Sequence, residues 1–573
     1  MKEHLDSIWR YVGGAVALIV VACATGWLMS TSQPPEPPKP EHPKLVVLVV
    51  FDQMRGDYLK KWQPLFCDGG FKRLQSDGAW FTNCHYPYAY TFTAAGHTSL
   101  ATGTSPYKHG IIANDWYDRA TGESVSSTTP PPDDVARGGG PYRRKAESVG
   151  DVLLRVLAGR GRVASLSIKE RSAVLLAALR AQICYWFNSS TGHFVTSPYY
   201  RTDPHSWATT FKRPDQWLGK EWTHFNATLD YEAHSGPDDF PVEGSGYLQK
   251  QTFPHPFVLA KTKDEKANRQ NYYDAVTCSP MGNELLMSFA KSAIINEKLG
   301  QGNSVDLLCL SFSSNDLVGH AWGPDSQEVL DVTLQSDAMI RDFLKFLDEK
   351  VGKDNYYFAL CSDHGVCPLP EIARKQGKEA GRVPPDLLTT QAEKFLNEKF
   401  LAKGEKAKWL IQPKKGGAWV YFNHATLQEL KLQQPDVESA LAAWLGKQPG
   451  VERAFTRTEL MGDANTPLKM QVKRSFHPDC SGDVMVVLKP YHIFSSPTVA
   501  ANPEKDPAYR ATHGMPHEYD THVPLLVMGP RIIPGTREDA VAPQAMASIL
   551  AAALRVPRPR HADAPLPEGL FRP

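Results

Sequence analysis

Leu45-Val46-Val47-Leu48-Val49-Val50-Phe51-Asp52 is an unbroken apolar run closed by an acid. A strand with one wet face alternates apolar and polar residues. A run without alternation reads as a strand covered on both faces, the habit of parallel sheets. Arg162 to Ile168, Val305 to Phe312, Tyr356 to Cys361 and Val523 to Met528 have the same character. Helical stretches separate them. The clearest runs from Ser326 to Val351, with Asp325 as N-cap, Glu328 at the capping-box position, and Val329, Val332, Ile340, Phe343 and Leu347 near helical spacing. Gly352 ends it. Strands alternating with helices predict an α/β sandwich with a central, mainly parallel sheet.

Working outward from Asp52, residues that bind metals fall repeatedly at strand ends. Asp316 follows the Val305 run and stands one helical turn before His320, a spacing that can aim both side chains at one ion. Asp363 and His364 end the Tyr356 run in Cys-Ser-Asp-His-Gly, and His513 precedes the Val523 run in Thr-His-Gly-Met-Pro-His. Open α/β sheets bind ligands at the carboxyl ends of their strands. Any one of these residues alone reads as a turn Asp or a surface His; six delivered to one edge predict a metal centre. Three carboxylates and three imidazoles suit zinc, whereas calcium and magnesium draw on carboxylates, carbonyls and water. Two ions about 4 Å apart clamp both oxygens of a displacement at phosphorus.

The nucleophile candidate lies in Tyr-Thr-Phe-Thr-Ala-Ala-Gly-His-Thr-Ser-Leu, residues 90–100. Thr93 reads as the N-cap of a short helix, beside free backbone N–H groups that suit a phosphate. A metal on its Oγ would make it an alkoxide. Thr91 is the rival, and a purely capping Thr93 is the bland alternative.

With these residues in view, the sequence from Leu45 to about Pro530 resembles the alkaline phosphatase superfamily, in the branch with a threonine nucleophile. That branch holds bacterial phosphate monoesterases and the nucleotide pyrophosphatase/phosphodiesterases. There the threonine stands four residues before a His, and an Asn follows a later His-Gly-Ile-Ile. This chain has Thr93 with His97, then His109-Gly110-Ile111-Ile112-Ala113-Asn114. The resemblance implies an alkaline-phosphatase-like three-layer sandwich, Thr93 as nucleophile rather than Thr91, and Asn114 as an amide on a phosphoryl oxygen. It implies one zinc on Asp316, His320 and His513, and a second on Asp52, Asp363, His364 and Thr93 Oγ. His517 competes with His513, and the His-Gly pairing favours His513. His97 and His109 are left for helix capping or packing.

Lys169 and Arg171 follow the Arg162 run in Ser-Ile-Lys-Glu-Arg. If extended, they face one side; a solvated basic pair is the ordinary alternative. Two zinc ions against three Asp leave a small positive balance, so a monoester dianion gains from two further cations. Monoesterases of the branch carry such a Lys-x-Arg pair, which implies a phosphomonoesterase acting through a phosphothreonine. A phosphodiesterase or nucleotide pyrophosphatase is the enzymatic alternative, an inactive phosphate-binding ectodomain the non-enzymatic one. A cytosolic metal-dependent mutase of the superfamily fits neither the N-terminus nor a Thr nucleophile.

Bulk composition leaves the substrate open. Lys+Arg number 63 against 62 Asp+Glu, so no net field points to nucleic acid. The expected partners are small-molecule phosphate esters, no nucleic-acid duplex, and a membrane through the N-terminal segment if it is uncleaved or lipidated. Tyr11 to Met29 is almost wholly apolar, behind a polar start carrying Lys2 and Arg10. That length is long for a signal core and near the minimum for a spanning helix. Val20-Val21-Ala22-Cys23 resembles a lipoprotein signal, and Pro34 to Pro40 is a stiff tether. Residues 1–30 are thus expected to be a signal peptide or anchor and 31–43 a linker, placing the protein in the periplasm or at the cell surface. The catalytic domain is expected over 44–555, with insertions at about 196–270 and 374–507 that shape a cap or the cleft rim, and 556–573 as a Pro-rich surface tail. Of nine Cys, Cys309 and Cys361 read as buried hydrophobes, Cys67 and Cys84 as a pair able to bridge, and no CxxC suggests a thiolate zinc site.

Overall fold

Strand β1 (Leu45–Phe51) is buried along its whole length and divides the molecule. In a computed structural model describing residues 43–412, 417–495 and 506–573, Leu45, Val47, Val49 and Phe51 enter one hydrophobic core and Val46, Leu48 and Val50 enter another. The period-two alternation is present in space although both faces are apolar. That is the three-layer sandwich. The remaining strands of the sheet are β2 (Ala79–Phe81), β3 (Val163–Ser167), β4 (Ile183–Asn188), β5 (His193–Val195), β6 (Asp306–Phe312), β7 (Tyr356–Ser362), β8 (Leu525–Met528) and β9 (Gly535–Arg537). Their order is β9-β2-β8-β7-β1-β6-β3-β4-β5.

The middle of the sheet is parallel, β7-β1-β6-β3-β4. The Val523 run departs from that expectation: β8 is antiparallel to β7, Cys361 facing Leu525. A chain entering from the catalytic edge, after the His513 loop, can only run back down the sheet. Helices α3 (Pro280–Glu297) and α5 (Gln327–Lys350) cover one face with Leu286, Phe289, Ile340, Phe343 and Leu347. Helix α6 (Ala545–Leu554) packs in the core on the other.

Helix α5 is capped by Ser326, whose side chain accepts from Val329 N, and not by Asp325. Asp325 is drawn instead toward Arg55 and Lys61. Glu328 consequently sits one position too early for a capping box and pairs with His255 inside the protein. Gly352 ends the helix as expected, at φ 99° with its N–H on Leu347 O. Cys67 and Cys84 are both free thiols, as are the other described cysteines. The C-terminal segment is pinned: Leu570 is buried, Phe571 bridges Ile532, and Asp563 accepts from Thr104 and Tyr107.

Within the 374–507 stretch a four-stranded sheet forms, in the order Leu410–Ile411, Trp419–Phe422, Val484–Leu488, Val451–Thr456. It builds a third core that also takes in Ala89, Tyr90 and Ala94. Among the described residues no helix is long and apolar enough to cross a membrane. The leader, the anchor alternatives and the proline tether lie outside the described residues.

Candidate active site

Sheet register assembles the site. Phe51 is paired with both Phe312 and Ser362, so Asp52 and Asp363 leave neighbouring strands at one level. Helix α4 (Ser314–Trp322) starts just past β6 and carries Asp316 and His320 one turn apart. The loop before β8 brings His513. Five of the six expected ligand residues are buried, and the His513 side chain is 4% exposed.

Each imidazole has one nitrogen committed elsewhere. Nδ1–H of His320 donates to Ala511 O (2.6 Å), that of His513 to Thr91 O (2.7 Å), and that of His364 to Gly365 O (2.9 Å). The three Nε2 lone pairs therefore point inward. There they face carboxylate oxygens: His320 Nε2 lies 3.1 Å and His513 Nε2 3.7 Å from Asp316 Oδ1, and His364 Nε2 lies 3.4 Å from Asp52 Oδ1 and from Asp363 Oδ2. Acceptors packed against acceptors require protons or cations between them. Burial, with His364 and His320 nearby, holds the His513 ring well below its usual titration range, and burial lowers His364 as well. Protons are thus the poorer answer. Burial, together with Asp316 and Asp363, drives Asp52 well above the ordinary carboxylate range, and its Oδ1 accepts no hydrogen bond among the described residues. Asp316 falls well below that range despite burial, because His320 and Lys169 hold its charge. Ionised together, the three carboxylates outnumber Lys169, and burial with this excess charge holds Asp52 up unless a further cation is bound. The donor set fits divalent metal.

Two groups have ligand atoms within 4.8 Å of one another: Asp316, His320 and His513, and Asp52, Asp316 and His364. Asp316 thus borders both positions, while Asp363 reaches the second through His364. His517 turns away to Leu488 O and His522 to Thr82 O.

Thr93 opens helix α1 (Thr93–Thr102), with Phe92, not Thr93, at the N-cap. Its Oγ1 lies 3.3 Å from His364 Nε2. Asn114 Oδ1 accepts from Ala94 N at 2.9 Å, which occupies one of the free helix amides, and Asn114 lines a cavity of about 300 Å³. Thr93, Lys169 and Arg171 line the same cavity. The Lys-Glu-Arg segment is not extended: Lys169 caps helix α2 (Glu170–Leu176) and Arg171 sits in its first turn. Lys169 Nζ lies 2.7 Å from Asp52 Oδ2 and also contacts Asp316 Oδ2.

Two residues escaped the sequence reading. Gln53, held at φ 69°, donates from Nε2 to Asp316 Oδ1 (2.7 Å) and from its backbone to Asp363 Oδ1 (3.1 Å). An exposed-looking Gln beside an Asp carries no signal for this. His97 does more than pack: Nδ1–H donates to Thr93 O (2.8 Å) and lies 3.1 Å from Asp363 Oδ2, so Nε2 accepts from Ser311 Oγ (2.8 Å). His109 caps and packs as expected, accepting from Ile111 N.

Two overlapping Asp/His groups at the edge of a doubly covered sheet, beside a helix-opening threonine, are the arrangement of alkaline phosphatase-type hydrolases. The sequence profile described as "Type I phosphodiesterase / nucleotide pyrophosphatase" matches residues 46–490, and the chain belongs to that family, within the alkaline phosphatase superfamily. It is 32% identical to alkaline phosphatase PafA of Elizabethkingia meningoseptica over 85% of this chain and 87% of that one. It is 31% identical to alkaline phosphatase PhoV of Synechococcus elongatus over 90% and 91%. The crystal structure of wild-type PafA superposes with a TM-score of 0.82 at 29% identity, covering 93% of this chain and all of that one.

Proposed function

We propose that the protein is an exported phosphomonoesterase that works through Thr93, with Asn114, Lys169 and Arg171 as its phosphate-binding groups. The observation that carries this reading is the single cavity in which Thr93 Oγ1, an amide, two cationic side chains and the Asp316/His320/His513 group meet. Asp316, His320 and His513 would hold one divalent cation and Asp52, Asp363 and His364 another, zinc by donor type, supplying Lewis-acid charge at the reacting oxygens. Thr93 Oγ1, its proton given up to solvent, forms a bond to phosphorus on the face opposite the alcohol. The P–O bond to that alcohol breaks, its electron pair leaves on the alcohol oxygen, and solvent supplies the proton. Water then cleaves the phosphothreonine, releasing phosphate and restoring the hydroxyl. Lys169, now paired with Asp52 and Asp316, is within reach of a phosphoryl group bound beside those carboxylates.

Thr93→Ala is expected to lower kcat/KM by at least about 1,000-fold with its fold retained. Full activity in that variant would overturn the assignment. The family name makes diesters the second reading. Lys169→Ala/Arg171→Ala is expected to remove roughly 2–4 kcal/mol of transition-state stabilisation for a dianionic monoester and far less for a diester. A wild-type preference for diesters would favour the second reading.

The apolar run Tyr11 to Met29 and the proline tether support export. Removing residues 1–29 is expected to leave a soluble, active enzyme; a full-length protein that fractionates with the cytosol and keeps Met1 would refute export.

A further inference from the structure

A second cavity, of about 500 Å³, lies beside the phosphoryl cleft and shares Tyr509 and His513 with it. Its volume falls within the range of small-molecule sites. One wall comes from the catalytic loops, Phe92 and His513, and the other from the inserted module, including Leu388, Trp419 and Ile493. Phe92 stands edge-on to Trp419 and to His513, with ring centroids 5.9 and 6.1 Å apart. Gly514 lines the cavity at φ 112°, and a Cβ there would meet the Phe92 ring at 3.1 Å. The Phe92 ring thus needs glycine beside it.

Apolar, aromatic walls beside a catalytic cleft are the mark of a small-molecule site.

Position says which part of a substrate would enter. Thr93 Oγ1 lies against His364, so in-line attack places the departing oxygen on the side of Asp316, His320 and His513. Tyr509 stacks on His320 there, with centroids 4.0 Å apart. We propose that this cavity is the leaving-group subsite, and that it takes a flat aromatic or heteroaromatic alcohol against the rings of Phe92, Trp419 and Tyr509. This assignment rests on the phosphomonoesterase reading.

The test uses the full enzyme and two readouts. kcat/KM is compared for methyl, benzyl and naphthylmethyl phosphate, alkyl esters whose leaving oxygens all sit on an sp³ carbon. Binding of free dihydroxynaphthalene is measured by calorimetry. The bicyclic ester is expected to exceed the methyl ester by about 10- to 50-fold in kcat/KM. Thr389→Trp, which fills the cavity from its half-buried rim, is expected to shrink that ratio at least fivefold and to abolish diol binding. Equal kcat/KM across the esters, or a ratio and a binding isotherm indifferent to Thr389→Trp, overturns the subsite. If no monoester is turned over while the diol binds and Thr389→Trp blocks it, the catalytic reading fails and the cavity stands as a binding site only.

Discussion

Replacing Gly96 by alanine isolates the contact between helix α1 and the Asp363 loop. In the middle of an ordinary helix this change stabilises by roughly 1 kcal/mol, because glycine loses more backbone entropy on folding. Here an added Cβ would lie 2.2 Å from Asp363 O and 2.7 Å from Asp363 Cβ. Carbon needs roughly 3.5 Å from such neighbours, so α1 and the loop must part by about 1 Å. Neither can move freely. The loop is tied by Gln53 N to Asp363 Oδ1, and the helix by Ala94 N to Asn114 Oδ1. Overpacking of this kind costs about 1–3 kcal/mol, which cancels or exceeds the helix gain. The larger effect falls on catalysis, since an error of about 1 Å between reacting groups costs on the order of 100-fold in rate.

The assay pairs thermal unfolding with kcat/KM for an aryl phosphate at saturating zinc. Gly446→Ala is the control: its Cβ would meet nothing nearer than Ala442 O at 3.4 Å. That variant is expected within about 0.5 kcal/mol of wild type and fully active. A Gly96→Ala protein that is more stable than wild type and keeps kcat/KM within twofold would refute the reasoning.

Two further outcomes are expected. His97→Leu removes the imidazole 3.1 Å from Asp363 Oδ2 and the acceptor of Ser311 Oγ, and should weaken divalent-metal binding in a chelator competition by about 10- to 100-fold; unchanged affinity would return His97 to packing. Glu243 is buried beside Glu328 and Asp238, and burial followed by those charges pushes its carboxyl up to about 11. The unfolded chain ionises it near the ordinary value of 4.5, so between there and 11 the folded state holds the extra proton and stability falls as pH rises. Glu243→Gln is therefore expected to be the more stable protein, by roughly 1–3 kcal/mol more at pH 9 than at pH 5, read from unfolding midpoints. A gap that does not change with pH would contradict this.

The central strands were legible because burial on both faces leaves a compositional trace, and the metal-type residues because they end such strands or lie in the segments flanking them. Direction was not legible for β8: an apolar tetrad looks the same whichever way it runs, and only the loop from the catalytic edge fixes it. Ser326 over Asp325 at the helix start depended on which side chain Arg55 and Lys61 attract, a long-range matter. Lys169 and Arg171 line one cavity, but through a helix turn in place of the extended segment expected. Gln53 and His97 act through hydrogen bonds to residues more than two hundred positions away. No local pattern encodes those.

The inserted module bears on the chemistry because it holds the segment that leads into Thr93. Ser475 Oγ accepts from the backbone N–H of Ala89 and of Tyr90, and Tyr90 Oη donates to Val486 O. Tyr90 and Phe92 both stand edge-on to Trp419. Residues 89–92 are therefore clamped by the module on one side, while Thr91 O takes the Nδ1 proton of His513 on the other. The strand-end groups come from the sheet and do not depend on the module, so the two parts can vary separately. Changes at the 410–488 sheet can reshape the cavity wall that Trp419 and Leu488 form while Asp52, Asp316 and Asp363 keep their positions at the sheet edge. If the cavity is the leaving-group subsite proposed above, a fold divided in this way could keep its strand-end carboxylates in place and still change which alcohol it favours.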